Sequence, residues 1–254
     1  MNALDATILG ALQGVTEFLP ISSSGHLVLM EELLKVSQPG LVFEVTVHMG
    51  TLMSILTVFW QDLKNLLSDL STRENRMMII YIILATIPIA VVGLVFKPEI
   101  EQSFHNLQLV GLSLLVTATA LIVTKWVGKE QTEVDGKRAI IIGIAQSLAL
   151  IPGISRSGIT IASGLIAGLK RREAARFSFL IAIPALIGSG LLTLPDLALS
   201  GANGIPAMVL LTGLVTSFVV GIIVLKLLLG ILEKGRLYYF GFYCLIVGGI
   251  VLGI

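Results

Sequence analysis

The sequence predicts an all-α membrane protein: a polytopic helical bundle of six spanning helices plus two re-entrant helix pairs in an inverted-topology repeat. Three observations carry this. The chain of 254 residues is 55% hydrophobic and only 13% charged, with a mean hydropathy of +0.96, whereas a soluble domain carries about 25% charged residues. Its apolar stretches come in two kinds, continuous and broken. Its basic residues fall in alternating connections.

A spanning helix needs about 20 mostly apolar residues. Six stretches meet that: 41–60, 77–97, 107–127, 177–194, 206–232 and 237–254. Two more, 3–34 and 139–169, are interrupted by Pro20-Ile-Ser-Ser-Ser-Gly-His26 and Pro152-Gly-Ile-Ser-Arg-Ser-Gly-Ile-Thr160. Broken backbone at membrane depth is tolerated only where protein or a wet cavity satisfies its polar groups, so both read as re-entrant pairs. No basic region opens the chain between Met1 and Gly10, so a cleaved signal peptide is not expected.

Basic residues cluster in four connections: Lys64, Arg73 and Arg76; Lys125, Lys129, Lys137 and Arg138; Lys170, Arg171, Arg172 and Arg176; Lys234 and Arg236. The connections at 35–40 and 97–106 hold only Lys35 and Lys97, and 195–205 holds none. Basic loops stay cytoplasmic. Six spans and two re-entrant pairs put every rich loop inside and both termini outside. Eight full spans would place 170–176 opposite 125–138.

Each half then reads as one re-entrant pair followed by three spans, so the second half is inverted. Gly10-x-x-Gln13 matches Gly143-x-x-Gln146, and Ser22-Ser-Ser-Gly25 matches Ser155-Arg-Ser-Gly158, both at an offset of 133. The chain is thus read as a single membrane domain over 1–254, with repeats of about 1–127 and 139–254. The two broken tips are expected to meet, as in transporters built on inverted repeats.

Ionisable groups inside membrane segments are functional candidates. Gln13 and Glu17 lie four apart on one helical face, and Pro20 ends or kinks that helix. Ser22, Ser23 or Ser24 can cap the next helix, whose first turn holds Gly25 and His26. Amide groups at such an N-terminus, with nearby hydroxyls, suit an anion, and converging donors suit a phosphate ester. The second tip offers Ser155, Ser157, Thr160 and Arg156, the one charged residue between Arg138 and Lys170. A guanidinium can hold two phosphate oxygens.

Blander readings apply elsewhere. Glu44 reads as solvated near the outer surface, and His48, four residues on, as lining the cavity. Asp5, Glu31, Glu32, Lys97, Glu99 and Glu101 read as interfacial. Trp60, Trp126, Tyr238, Tyr239 and Tyr243 read as aromatic-belt residues. The balanced charge, 17 Lys+Arg against 16 Asp+Glu, argues against nucleic acid as a partner. Cys244 is the single cysteine, which excludes an internal disulfide.

Gln13-Gly-Val-Thr-Glu17-Phe-Leu-Pro-Ile-Ser22-Ser-Ser-Gly-His26 resembles the first signature of the undecaprenyl-diphosphate phosphatase (bacitracin-resistance) family. Pro152-Gly-Ile-Ser-Arg156-Ser-Gly-Ile-Thr160 resembles its second, and Arg172-Glu-Ala-Ala-Arg-Phe-Ser-Phe-Leu-Ile-Ala-Ile-Pro184 also looks like the family. The resemblance covers essentially the whole chain. It implies removal of the terminal phosphate from undecaprenyl diphosphate, which recycles the lipid carrier of cell-wall polymers and confers bacitracin resistance. It implies a divalent cation, Mg²⁺ or Ca²⁺, and a site in the cell membrane open to the outer side. Because the first motif position is Gln13 rather than Glu, a metal role rests more on Glu17.

With that activity, Ser23 reads as nucleophile and His26 as general base and acid. Glu17 orients His26 or, with Gln13, holds the cation. Ser22, Ser24, Gly25, Ser155, Arg156, Ser157 and Thr160 bind the phosphates. A phosphohistidine at His26, or direct attack by water, is equally compatible with the residues. The rival class is a polyprenyl-phosphate flippase or secondary transporter on the same scaffold; an ion channel fits less well, without rings of like charge or a carbonyl filter motif. The expected partners are the prenyl diphosphate substrate and membrane lipids. Gly188-Ser-Gly190 and Gly248-Gly249 permit close helix contact within one chain or between two, which allows a homodimer.

Overall fold

A computed structural model describes residues 1–34, 41–127, 132–200 and 205–253. The described residues form α1 (Ala3–Thr16), α2 (Ser23–Leu34), α3 (Leu41–Val58), α4 (Trp60–Ser68), α5 (Arg73–Val95), α6 (Lys97–Ser103), α7 (Leu107–Val123), α8 (Gly136–Leu148), α9 (Arg156–Ile166), α10 (Arg171–Ser200), α11 (Ala207–Glu233) and α12 (Tyr238–Gly253). Among them there is no strand, only an isolated bridge between Thr132 and Leu169. Lys35, Lys129 and part of the 195–205 connection lie outside the described residues, as do the side chains of Glu31 and Glu32.

Over their described residues the six continuous apolar stretches are largely helical. Among the described residues, three helices are long and apolar enough to cross a membrane: α5, α10 over Arg171–Leu192, and α11. The number rises to five if each of two bent pairs is one span, α3 with α4 at 67° and α6 with α7 at 96°. The bends follow composition. Gln61, Asp62, Lys64 and Asn65 make α4 polar, and Lys97, Glu99 and Glu101 do the same for α6. α12 is apolar but only 16 residues long, about 24 Å at 1.5 Å per residue. α10 runs on to Ser200, past the expected end of its span.

Both broken stretches are helix, break, helix. Ser22 and Ser155 precede α2 and α9. The Ser22 hydroxyl accepts from the Gly25 amide at 3.3 Å, and that of Ser155 from the Gly158 amide at 3.1 Å. Ser22 sits at φ +73°, a left-handed conformation uncommon for a residue with a Cβ. At the second break Gly153 has φ +96°, and a Cβ there would lie 2.7 Å from the Ser113 side chain, so this turn requires glycine. The α8–α9 pair doubles back: Arg138, in the first turn of α8, donates from Nε to the Ala167 carbonyl at the end of α9, at 2.9 Å.

Helix association in an apolar medium relies on close packing of small residues, and the helix pairs show it. α1 lies on α11, where a Cβ on Gly10 would meet the Gly213 carbonyl at 2.7 Å. α8 lies on α5, where one on Gly143 would meet Ala85 Cα at 2.6 Å. α12 lies on α7, Gly248 against the Gly111 carbonyl at 2.9 Å. Gly248 is therefore used within the chain, whereas Gly188 and Gly249 have nothing within 4 Å of such a Cβ.

The four basic connections meet one another. Arg176 donates to Asp62 at 2.7 Å, joining the first to the third. Lys170 pairs with Glu133 at 3.6 Å, joining the third to the second, and the Arg171 guanidinium lies over Gly235 of the fourth. Like-charged loops are thus gathered at one end, stitched by their acidic neighbours.

The packing at Gly143 gives a direct test. Gly143→Ala must push α8 off α5 and is expected to cost about 1–3 kcal/mol. Gly249→Ala, with open space around it, should leave the melting temperature of the detergent-purified protein unchanged. Equal melting of the two variants would contradict the packing.

Candidate active site

Glu17, the C-cap of α1, is 7% exposed and gathers residues from four helices. Its Oε1 accepts from Arg156 Nη2, which opens α9. Its Oε2 accepts from Ser23 Oγ at 2.6 Å, and Ser23 opens α2. The same Oε2 accepts from Gln13 Nε2 at 3.1 Å and faces His48 Nε2 of α3 at 3.9 Å. Ser23 and Arg156 are the first residues of two helices, so two positive helix ends and a guanidinium converge on one carboxylate. That surplus of positive field favours a further anion.

The tips also touch through their backbones. A Cβ on Gly25 would meet Gly153 Cα at 3.2 Å, and one on Gly158 would meet the Pro20 ring at the same distance. The carbonyls freed at each break find side chains on the crossing helices. Thr117 of α7 donates to the Gly153 carbonyl and accepts from the Ser155 amide, both at 3.0 Å. Cys244 of α12 donates its thiol to the Pro20 carbonyl at 3.7 Å. Apolar walls complete the site: Phe18, next to Glu17, is fully buried and meets Phe179 edge-on at 5.9 Å.

The structure sorts the residues singled out from sequence. Ser23 and Arg156 flank Glu17, and Gln13 shares its oxygen. Ser22 and Ser155 spend their hydroxyls on capping, with Ser24 and Ser157 each 3.3 Å from them. Thr160 donates to the Arg156 carbonyl at 2.7 Å and contacts the Ser178 hydroxyl at 2.6 Å, so it braces the first turn of α9 from inside. His26 does not pair with Ser23 or Glu17. Its Nδ1 donates to the Ser22 carbonyl at 2.8 Å, which leaves Nε2 to accept from Tyr243 at 2.8 Å, and the two rings stack with centroids 5.6 Å apart.

Two atoms at the site are buried without a partner, Arg156 Nη1 and Gln13 Oε1. The first is a donor available to a phosphate oxygen. The second, on the same amide that touches Glu17, is an acceptor that wants a proton or a cation. Glu17 and Gln13 therefore fit a divalent ion as a partial oxygen set, leaving other positions to water and phosphate. Among the described residues no group of three or more His, Cys, Asp or Glu forms a metal cluster.

Four residues matter here that sequence reasoning set aside or passed over. His48 was expected only to line the cavity, yet it faces Glu17. Tyr243, read as a belt residue, holds His26. Thr117 and Ser178 brace the second tip, and their hydroxyls look ordinary in apolar helices. For His48 alone there was a signal: an ionisable ring deep in a long apolar stretch.

The model of the bacitracin resistance protein BacA family matches residues 6–250. The chain belongs to that family. Proteins named undecaprenyl-diphosphatase are similar to it along their whole length. The one from Korarchaeum cryptofilum is 43% identical, with 100% of both chains covered. Those of Methanosphaera stadtmanae and Desulfosudis oleivorans are 42% and 43% identical, covering 99% and 100% of this chain and 98% and 99% of their own. Within this BacA-family chain, the two signature stretches are the two tips that meet at Glu17. The third, Arg172–Pro184, supplies Ser178 to Thr160 and Phe179 to Phe18.

The buried Glu17–Arg156 pair is a stability element in its own right. Breaking a buried pair from one side strands a charge and costs about 3–5 kcal/mol. Glu17→Ala and Arg156→Ala should each destabilise by that order, and the double variant by much less than the sum. Simple additivity in chemical denaturation would show that the two charges are not coupled.

Proposed function

We propose that this chain is an integral membrane phosphatase that hydrolyses undecaprenyl diphosphate to undecaprenyl phosphate and phosphate. It thereby recycles the lipid carrier for cell-wall polymer synthesis. The observation that carries the mechanism is the Ser23 hydroxyl held 2.6 Å from Glu17 Oε2, with Arg156 on the other oxygen. The family and its diphosphatase-named relatives supply the substrate class.

The prenyl tail lies against the helices and the diphosphate enters between the tips. Arg156, through its unpartnered Nη1, and the N-terminal amides of α2 and α9 bind the phosphate oxygens. They stabilise the charge that spreads over the transferring group, the main protein contribution to phosphoryl transfer. Ser23 Oγ attacks the terminal phosphorus, and its proton passes to Glu17 Oε2. The Oγ–P bond forms as the anhydride P–O bond breaks, and undecaprenyl phosphate leaves with the bonding electrons. Water then hydrolyses the phosphoserine. Glu17 passes the serine proton to solvent, takes one from the attacking water as the new P–O bond forms, and returns it to Ser23 Oγ as the Oγ–P bond breaks, which releases phosphate and restores the carboxylate. His26 holds the α2 turn through Ser22 and Tyr243 in this scheme. Glu17 and Gln13 Oε1 would hold a divalent cation, which would supply charge neutralisation to the phosphoryl oxygens; oxygen donors of this kind suit Mg²⁺ or Ca²⁺.

The proposal includes a topology: six crossings, two re-entrant pairs, both termini outside, and a site open to the outer side of the cell membrane. The gathering of four basic connections at one end supports it, because such loops stay cytoplasmic. Parallel packing of the halves supports the inverted repeat: α1 lies on α11 as α8 lies on α5, and Ser22 caps Gly25 as Ser155 caps Gly158. The flippase or transporter reading is not favoured, since the site pairs a hydroxyl with a carboxylate and the relatives carry a phosphatase name.

Phosphate release from a prenyl diphosphate by the detergent-purified protein is expected to stop with EDTA. It should fall about 10³-fold in Arg156→Ala and be lost in Ser23→Ala. A phosphoenzyme trapped on serine supports the scheme. One trapped on histidine moves the nucleophile to His26, and none in any variant points to direct attack by water. Retained release in Ser23→Ala would overturn the nucleophile.

A further inference from the structure

Past Tyr239, Tyr243 and Cys244 are the only residues of α12 whose side chains carry an oxygen, nitrogen or sulfur. Both serve the first break, at the opposite end of the chain. Cys244 takes the Pro20 carbonyl. Tyr243 lies against His26, its ring within 13° of parallel and its hydroxyl 2.8 Å from Nε2. The direction of that hydrogen bond is fixed from the other side of the imidazole. Nδ1 lies 2.8 Å from the Ser22 carbonyl, which can only accept, so Nδ1 carries the proton. Nε2 then presents a lone pair, and the phenol is its donor.

The Ser22 carbonyl is the point of leverage. It accepts twice from His26, from the ring and from the main-chain amide at 3.2 Å. It belongs to the same planar peptide unit as the Ser23 amide. Ser22 holds that unit from a left-handed φ of +73°, a conformation that persists in a non-glycine residue only where its neighbours over-determine it. A turn of this peptide would swing Ser23 Oγ away from Glu17 Oε2, now 2.6 Å distant.

We propose that Tyr243 is a positioning residue for the phosphoryl transfer. By donating to His26 Nε2 it fixes the tautomer and the plane of that ring, and the ring fixes the Ser22–Ser23 peptide that aims the Ser23 hydroxyl. This rests on the proposed phosphatase reaction at Ser23. α12 offers a firm base for the task, since it packs on α7 so closely that a Cβ on Gly241 would meet the Ala118 carbonyl at 2.9 Å. α7 in turn braces the second tip through Thr117. Tyr243 therefore ties the turn bearing the hydroxyl to the same helix pair that steadies the turn bearing Arg156.

The test reads the ring and the rate on one detergent-purified preparation labelled with ¹⁵N-histidine. The chain has 3 histidines, and His26→Gln assigns the signal of interest by removing it. The wild type should show His26 as the Nδ1–H tautomer, with Nε2 shifted by an accepted hydrogen bond. Tyr243→Phe keeps the stacked ring and loses the donor. Its Nε2 signal should lose that shift, and kcat for phosphate release from a prenyl diphosphate should fall about tenfold, the contribution of one hydrogen bond, with KM unchanged. Tyr239→Phe, one turn away on the same helix, should alter neither readout. A proton on Nε2 in the wild type overturns the proposal. So does Tyr243→Phe with the kcat of the wild type, or with a raised KM as its only defect. The wild-type tautomer decides if Tyr243→Phe misfolds. Phosphate release from a wild type whose Nε2 is protonated sinks only the part given to Tyr243, whereas no release from a wild type with the expected tautomer sinks the phosphatase reading.

Discussion

A helix interrupted inside an apolar medium leaves backbone amides and carbonyls that water cannot reach, each costing several kcal/mol if unmet. This chain does it twice, and most of its architecture is the set of partners those breaks require. Ser22 and Ser155 cap the new helices, Thr117 and Cys244 take the stranded carbonyls, and glycine at Gly153 lets the turn fit against α7. The crossing helices α7 and α12 are packed on each other through Gly111, Gly241 and Gly248. Their polar side chains are thus presented to the breaks from a rigid support.

Meeting the breaks creates the electrostatics of the site. Two helix N-termini aimed at one place concentrate partial positive charge, and Arg156 adds a full one. Glu17 answers with a single negative charge, so the cluster is underfilled without an anion. In the proposed function a phosphate-bearing lipid completes the balance, and substrate recognition is then a by-product of how the backbone was satisfied.

The fold class and the breaks were legible because they are local. Apolar length, Pro20 and Pro152, and the serine runs sit in the sequence where the structure uses them. The pairing of Glu17 with Arg156 was reachable only through the expectation that the tips meet. What stayed hidden depends on helix rotation. His48 and Tyr243 each sit on an apolar helix of low amphipathicity, where periodicity gives no inward face. Nothing local tells whether a ring points to lipid or to Glu17. The same cause explains the pairing of His26: three residues from Ser23 is near in sequence, but the turn at Ser22 aims the ring at α12. The helices α4 and α6 lie almost wholly in the connections that follow 41–60 and 77–97, where apolar length carries no signal.

The Glu17–Arg156 pair joins positions 139 apart in the chain, and that separation shapes how the protein is made. At synthesis rates of about 5–20 residues per second, roughly 7–28 s pass between the two residues leaving the ribosome. During that interval α1 and α2 hold a carboxylate whose guanidinium does not yet exist. Gln13 and Ser23, four and six residues away, are the partners on hand. The amide and the hydroxyl at the candidate site are thus the local partners of that charge until the second half of the chain is made.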